Sequence, residues 1–368
     1  VYVVFKTHLD VGFTDLSSVV TQRYISEFIP KALDISEKLR AGNAGEKYVW
    51  TTGAWLIWKY LQIASPKEVE RLETAIRRGD IIWNSVHYTV ESESMNLDLF
   101  ETCLRLSHKL DEKYGKKTIA AKMTDVPGDT RSIVAPMSRA GIRFLHIGVN
   151  PACPIPAVPE FCRWRDTDGS ELILVYQQDY GSENFLPGGK AVISINFTGD
   201  NHGPHPYERV KAIYADLQKR YPNARLIASS FNEIAEELIG MQDQLPIVTS
   251  EIGDTWIYGY GSAPIRMAKF RAVSELYAKW LREDKIDKSS DEALNFALEL
   301  GLIAEHTQGF DVKTHLRNWD KYDMDAFVPA RSKEPFRKIE ESWKELEQSI
   351  YTTIQYFPFP LQKISLDK

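Results

Sequence analysis

The chain has 368 residues, of which 43% are hydrophobic and 26% are charged, an ordinary composition for a globular protein of one large domain or two smaller ones. A net charge of -6 argues against nucleic-acid binding. No apolar run reaches membrane-spanning length, so we expect no membrane association. Cys103, Cys153 and Cys162 form neither a disulfide framework nor a zinc knuckle.

The chain begins at Val1, within an apolar run and without a methionine. This start is compatible with removal of an N-terminal signal, in which case an extracytoplasmic location would follow. The sequence itself does not fix the compartment, and it leaves homo-oligomerisation open.

Up to about residue 248, short apolar runs alternate with amphipathic stretches. Seven runs predict buried strands, at residues 1–5, 48–51, 81–85, 119–123, 144–148, 192–195 and 226–228. Helices are predicted at 68–78, 97–114 and 207–220. This alternation predicts a mainly parallel α/β sheet, either covered by helices on both faces or closed into a barrel. Asp168-Gly169, between two strand-like runs in residues 162–177, predicts a hairpin.

After residue 248 the pattern becomes helical. Residues 263–283, 289–306 and 332–355 carry helical periodicity with no strand between them, which predicts a three-helix bundle. We therefore expect a β/α catalytic domain at 1–248. A helical part at 249–368 would contribute a loop to the active site.

Polar side chains follow four of the predicted strands, at the edge where ligands of α/β sheets bind. They are His8 and Asp10 after the first strand, His87 and Glu91 after the third, Asp125 after the fourth, and Asp200, His202 and His205 after the sixth. His8 and Asp10 are two residues apart and share a strand face. Taken alone, this pair suits a metal site or a hydrogen-bonded structural pair.

A zinc-type site needs three or four nitrogen or oxygen ligands. His8, Asp10 and Asp125 supply three, and His306, at the end of an apolar helical run, is a candidate fourth. A histidine at a helix end can also simply balance the helix dipole.

Several polar residues have structural interpretations. Asp129-Thr130 predicts a helix cap, and Asp200-Asn201 suits a turn before Gly203-Pro204. We expect His146, inside an apolar run, to be a core residue and His108 to be exposed.

Six stretches, in chain order over residues 7–314, resemble segments of glycoside hydrolase family 38, the zinc-dependent retaining α-mannosidases. They are THLDVGF, TDVPGDT, EFCRWRDTDGSELIL, TGDNHGPHP, TWIYGYGSAPIRMAKFRAVSELY and AEHTQGFDVKT. The resemblance implies a seven-stranded, mainly parallel, barrel-like β/α domain of the glycoside hydrolase or deacetylase type, followed by the helical bundle. In that family the chain continues past the bundle into large β-domains.

The resemblance also assigns roles to residues. It implies one divalent ion per chain, Zn²⁺, held by His8, Asp10, Asp125 and His306, and it makes Asp125 the nucleophile for an α-linked carbohydrate or glycoconjugate substrate. Asp200 is the candidate acid/base, with Glu91 as the alternative. Phe13, His87, Asn201 and Arg266 are expected to contact substrate.

This sequence also departs from the family pattern. Phe13 replaces a tryptophan, Pro127 and Asp129 replace a phenylalanine and a histidine, Asn201 replaces an acid in one form of its loop, and Thr307 replaces a further acid. These changes leave the sugar open. They also keep two alternatives: a metal-dependent carbohydrate deacetylase, and a non-catalytic carbohydrate-binding relative.

Overall fold

The structure is a computed structural model that describes residues 1–42, 45–316 and 318–357. The chain forms two compact units whose segments alternate along the sequence. The first unit comprises Val1–Leu9, Tyr24–Glu93 and Leu104–Trp256, and the second comprises Asp10–Arg23, Ser94–Cys103 and the chain from Ile257 onward. The functional division into 1–248 and 249–368 stays a prediction, and residues 358–368 of its second part lie outside the described residues.

The strands all belong to the first unit, and each of the seven predicted apolar runs contains or overlaps one. They are β1 Tyr2–Thr7, β2 Trp50–Gly53, β3 Ile81–Asn84, β4 Ala120–Asp125, β5 Phe144–Val149, β6 Phe161–Arg165, β7 Glu171–Gln178, β8 Glu183–Phe185, β9 Val192–Thr198, β10 Ile227–Ser229 and β11 Ile247–Val248.

These strands form two sheets rich in parallel pairs, so the single seven-stranded barrel is not confirmed. One sheet has the order β3-β2-β1-β9-β8, with β10 also paired to β1, and the other has the order β11-β6-β7-β5-β4. The predicted hairpin is confirmed as the antiparallel pair of β6 and β7. In the first sheet β9 runs parallel to β1 along its whole length, and this brings the carboxyl ends of these two strands together.

The helices cover both units. They are α1 Ser17–Arg23, α2 Ile29–Ala41, α3 Ala54–Ile63, α4 Pro66–Arg78, α5 Leu97–Tyr114, α6 Val134–Arg139, α7 Tyr207–Arg220, α8 Phe231–Ile239, α9 Pro264–Arg282, α10 Asp291–Gly301, α11 Val312–His315, α12 Met324–Ala330 and α13 Glu334–Thr353. Local signals fix several ends. In α4, Ser65 and Glu68 form a capping box, and Gly79 closes the helix with φ +76°.

The core of the first unit is built from the apolar faces of both sheets and of α8. Val4, Phe144, Val175, Ile193 and Phe231 are buried in one cluster. His146 is buried as predicted, with its ring centroid 5.1 Å from that of Phe231 and its Nε2 3.0 Å from Oε1 of Gln177. His108, as predicted, is exposed.

The second unit is helical. The three predicted helical stretches contain α9, α10 and α13, but α1, the start of α5 and the short helices α11 and α12 belong to the unit as well. A simple three-helix bundle is therefore not confirmed. Among the described residues no helix is long and apolar enough to span a membrane. All three cysteines are free thiols.

Candidate functional site

His8 follows β1 directly, and two hydrogen bonds of its main chain fix its position. Its N–H donates to the carbonyl of Thr198 at 2.9 Å, and its carbonyl accepts from the N–H of Asn201 at 3.1 Å. The side chain is buried, and its ring centroid lies 4.8 Å from that of Tyr180. The end of β9 and the loop after it thus fix the backbone of His8, and burial against Tyr180 restricts its ring.

Asp125, the last residue of β4, has a strained backbone and an oriented carboxylate. Its φ of +92° is in the left-handed region that favours glycine. Oδ1 accepts from Oη of Tyr180 at 2.5 Å and from Nδ2 of Asn150 at 2.8 Å. Oδ2 lies 3.8 Å from Nε2 of His8. The two oxygens therefore face different partners: two neutral donors on one side and an imidazole on the other.

Asp200 and Asn201 lie in the loop after β9. Oη of Tyr180 is 3.4 Å from Oδ1 of Asp200, so one phenol contacts the carboxylates of both Asp125 and Asp200. Asp200 is half-buried. Asn201 is buried with φ +51°, and its side-chain oxygen accepts from Oη of Tyr24 at 3.3 Å.

The loop after β3 carries His87 and Glu91, and both are buried. Burial lowers the pKa of His87 to about 3, so the ring is neutral at physiological pH. No described residue forms a hydrogen bond with either ring nitrogen of His87, and its ring packs 4.2 Å from that of Tyr88.

In the loop after Asp125, the cap predicted at Asp129-Thr130 is confirmed for Thr130 only. Thr130, not Asp129, caps the following turn, since its Oγ1 accepts from the N–H of Ser132. Asp129 is instead fully buried and accepts from Oγ of Ser92 at 2.8 Å. Its pKa is raised well above the ordinary value by burial and then by the charge of Glu93.

Within the second unit, Asp10 and His306 contact each other. Nε2 of His306 lies 3.2 Å from Oδ1 of Asp10, and both side chains are buried. Nδ1 of His306 lies 2.8 Å from Oε1 of Glu305. Both ring nitrogens of His306 therefore face a carboxylate oxygen. With a proton on Nδ1 alone, Nε2 would be free to bind a cation shared with Asp10.

Glu305, which the sequence analysis missed, is the centre of this loop. Its buried carboxylate also accepts from the N–H of Val11 at 3.3 Å and from the N–H of Thr307 at 3.0 Å, and the Thr307 hydroxyl donates to it as well. The sequence signal that could have identified Glu305 is its position immediately before His306, at the end of an apolar run.

The other two predicted substrate contacts in this unit differ in exposure. Phe13 is half-buried, has φ +60°, and its carbonyl accepts from the N–H of Asp311 at 2.9 Å. Arg266, in the first turn of α9, is buried and donates from Nη2 to Oε1 of Gln308 at 2.5 Å.

His8, Asp10, Asp125 and His306 each offer a ligand atom, and these atoms lie within 4.8 Å of one another in a buried cluster that could hold a metal ion. Two imidazole nitrogens and two carboxylate oxygens fit the ligand preference of zinc. The hydrogen bond from His306 to Glu305 is the outer contact that metal-binding histidines usually make. The donor set therefore fits a divalent cation.

Residues 260–367 match the model of a family described as a domain of unknown function, DUF5054. The comparison with curated proteins gives no match.

Solved structures with a similar fold include members of two glycoside hydrolase families. An alpha-mannosidase from Enterococcus faecalis V583 superposes with a TM-score of 0.64 at 14% identity, over 96% of this chain and 41% of that one. A glycosyl hydrolase family 38 protein from Enterococcus faecalis gives a TM-score of 0.55 at 13% identity, over 96% of this chain and 40% of that one. A GH57 branching enzyme from Thermococcus kodakaraensis gives a TM-score of 0.54 at 11% identity, over 98% of this chain and 93% of that one.

The chain thus spans well under half of the two Enterococcus proteins, and nearly all of the branching enzyme. Neighbours from two hydrolase families at this identity show a shared fold and do not single out family 38. The chain has a mixed α/β fold that resembles the folds of these glycoside hydrolases.

Proposed function

We propose that this chain is a metal-dependent retaining glycoside hydrolase that acts on an α-linked glycoside, with Asp125 as the nucleophile. The observation that carries the proposal is the divided environment of the Asp125 carboxylate. Oδ1 is held by Tyr180 and Asn150, while Oδ2 faces His8 at 3.8 Å. Donors on one oxygen orient the carboxylate, as a positioned nucleophile requires.

The spacing of two carboxylates supports a retaining reaction. Oδ1 of Asp125 is 2.5 Å and Oδ1 of Asp200 is 3.4 Å from the same phenolic oxygen. These two oxygens are therefore at most about 6 Å apart, an upper bound that admits the separation of about 5–5.5 Å in retaining enzymes and lies below the range of inverting ones. Asp200 is our acid/base, because its partial exposure gives it access to a leaving group, and Glu91 remains the alternative.

His8, Asp10, Asp125 and His306 would hold one Zn²⁺ per chain. When bound, the ion would polarise sugar oxygens as a Lewis acid. The protein's own side chains would position the reacting groups. Tyr180 orients the nucleophile through its hydroxyl, and Glu305 fixes the tautomer of His306.

Among the predicted substrate contacts, the half-buried ring of Phe13 is suited to stack on a sugar face. His87, Asn201 and Arg266 are buried, so we expect at most their polar atoms to reach the carbohydrate or glycoconjugate.

The test is a screen of nitrophenyl α- and β-glycosides with and without added zinc. We expect hydrolysis of an α-glycoside that is lost on chelation and restored by zinc. Asp125→Asn should abolish it, whereas the exposed control Asp243→Asn should not. A mechanism-based fluoro-sugar should label Asp125. Acetate release from acetylated sugars without labelling would instead indicate a deacetylase, and zinc binding with neither reaction would indicate a non-catalytic relative.

A further inference from the structure

The first turn of α9 contains a buried cation whose charge is not balanced by a paired carboxylate. Arg266 is 7% exposed, and its only hydrogen bond within the described chain goes to the neutral amide oxygen of Gln308. Its Nε is buried and meets no acceptor in residues 1–42, 45–316 or 318–357. Arginine stays charged at any biological pH, and a buried charge without a partner is costly.

The carboxylate that acts on Arg266 most directly is engaged elsewhere. Glu347 attracts the guanidinium electrostatically, but it forms a hydrogen-bonded ion pair with Lys269, one turn further along α9. The Lys269 ammonium also donates to the hydroxyl of Tyr351 at 2.7 Å. Two cations therefore share one carboxylate, and the beginning of α9 keeps a net positive charge.

The helix itself adds to this positive field. α9 has 19 residues, begins at Pro264, and has no side-chain cap on Ala263. Arg266 is the third helical residue, at the end where the dipole favours anions and disfavours cations. Stability alone would therefore select against an arginine here, whereas an anion bound at this turn would be favoured by both the dipole and the guanidinium.

A second contact connects this turn to the candidate site. Gln308, which accepts from Arg266, also donates from Nε2 to the carbonyl of Glu305 at 3.2 Å. Gln308 is two residues after His306 in the same loop. A group bound by Arg266 would consequently lie beside the loop that carries a candidate metal ligand.

We propose that Arg266 and the first turn of α9 bind an anionic substituent of the saccharide, a carboxylate or a sulfate ester, so that the substrate is an acidic glycoside. The guanidinium fork matches the planar oxygens of a carboxylate and also fits a sulfate. The saccharide part rests on the proposed function, whereas the anion site does not. The competing explanation is that Arg266 only braces the His306 loop through Gln308.

Calorimetric titration of the zinc-loaded full chain tests this without turnover. The probes are methyl α-D-glucuronide, glucose 6-sulfate and the neutral methyl α-D-glucoside. We expect at least one anionic sugar to bind about tenfold or more tighter than the neutral one, with the preference weakening as NaCl is raised. The anionic probe that binds with the lower Kd shows whether the site prefers a carboxylate or a sulfate ester.

Arg266→Gln should abolish the preference for the anionic sugar, and Arg266→Lys should retain part of it. Arg271→Gln, an exposed arginine on the same helix, should leave the preference intact. Equal binding of charged and neutral sugars by the unmodified protein would overturn the proposal. The proposal would also be overturned if inorganic sulfate bound to the protein but the anionic sugars bound no more tightly than the neutral one. A folded Arg266→Gln variant that keeps the preference would support the bracing role instead.

The two proposals fail differently. Absence of any glycoside hydrolysis, with anionic sugars still bound through Arg266, would contradict the proposed function and leave the anion site standing. Zinc-dependent hydrolysis of neutral glycosides, with no anionic preference in binding, would contradict the acidic substrate alone.

Discussion

Replacing Glu305 by glutamine tests whether the His306 loop is built to hold a metal ligand. The Glu305 carboxylate is 1% exposed and receives only donors: the ring N–H of His306, the N–H of Val11, and the N–H and hydroxyl of Thr307. Glutamine has nearly the same shape, but one of its two terminal atoms is itself a donor. It therefore removes a charge and sets an NH₂ group against N–H groups.

The expected loss of folding free energy in Glu305→Gln follows from the more favourable of the two orientations of the glutamine amide. With the amide oxygen toward His306, the NH₂ group faces Thr307, whose hydroxyl can turn to accept but whose N–H cannot. One buried donor is left unsatisfied, which costs about 1–3 kcal/mol of folding free energy. Loss of the carboxylate behind a metal-binding histidine weakens metal affinity about 10- to 100-fold.

Two measurements check this. Urea denaturation of the metal-free protein gives the loss in unfolding free energy, and competition with a chelating indicator gives the zinc Kd. Thr307→Val is the matched control, because it removes one hydroxyl donor and keeps the carboxylate, and we expect it to change the zinc Kd less than about threefold. An unchanged zinc Kd in Glu305→Gln, or an equal loss in Thr307→Val, would refute the outer-contact role of Glu305.

Three further predictions concern buried polar groups of the first unit. Tyr180→Phe removes the 2.5 Å hydrogen bond to Asp125 and should lower kcat about 10- to 100-fold with zinc content unchanged; an unchanged kcat would contradict the positioning role. Asp129→Asn should raise the unfolding free energy at pH 7–9, because a raised folded pKa makes the ionised form destabilising, and the gain should vanish below about pH 4. The wild-type protein should lose up to about 5 kcal/mol as pH falls from 6.5 toward the His87 pKa of about 3, and His87→Phe should lose correspondingly less in acid denaturation.

The strands were predictable because their signal is local. β1, β4 and β5 are almost entirely buried, so nearly every position in them selects an apolar or β-branched residue. The bounds of α5 and α7 also agree with the periodicity, since each helix has one apolar face and one charged face.

The arrangement of the strands could not be predicted in the same way. Pairing joins distant residues, as Tyr2 with Ile193, and no local pattern encodes that choice. β8 and β11 have three and two residues, too few for any alternation to show. The seven-stranded barrel was an implication of the family resemblance. Of the four additional strands, the hairpin pair β6 and β7 was predicted, whereas β8 and β11 were missed.

The candidate ligands were accessible to sequence analysis because each ends an element or follows one closely. His8 follows β1 and Asp125 ends β4, where a polar residue after an apolar run is conspicuous. Tyr180 and Asn150 escaped notice because an isolated tyrosine or asparagine in a loop carries no pattern. Their roles exist only through contacts with Asp125, which is 55 residues from Tyr180 and 25 from Asn150.

Backbone strain gives an independent reason to regard this region as functional. Five non-glycine residues of the described chain have positive φ: Phe13, Asp125, Asp179, Asn201 and Asp284. Asp284 follows the end of α9, where a left-handed residue is ordinary. The other four are predicted site residues or, for Asp179, the neighbour of Tyr180. Asn201 and Asp179 have φ values that asparagine and aspartate adopt readily. For Phe13, and for Asp125 at φ +92°, the conformation costs of the order of 1–3 kcal/mol. Strain of this kind persists where it fixes the direction of a side chain, as it does for Asp125, whose two carboxylate oxygens must face different partners.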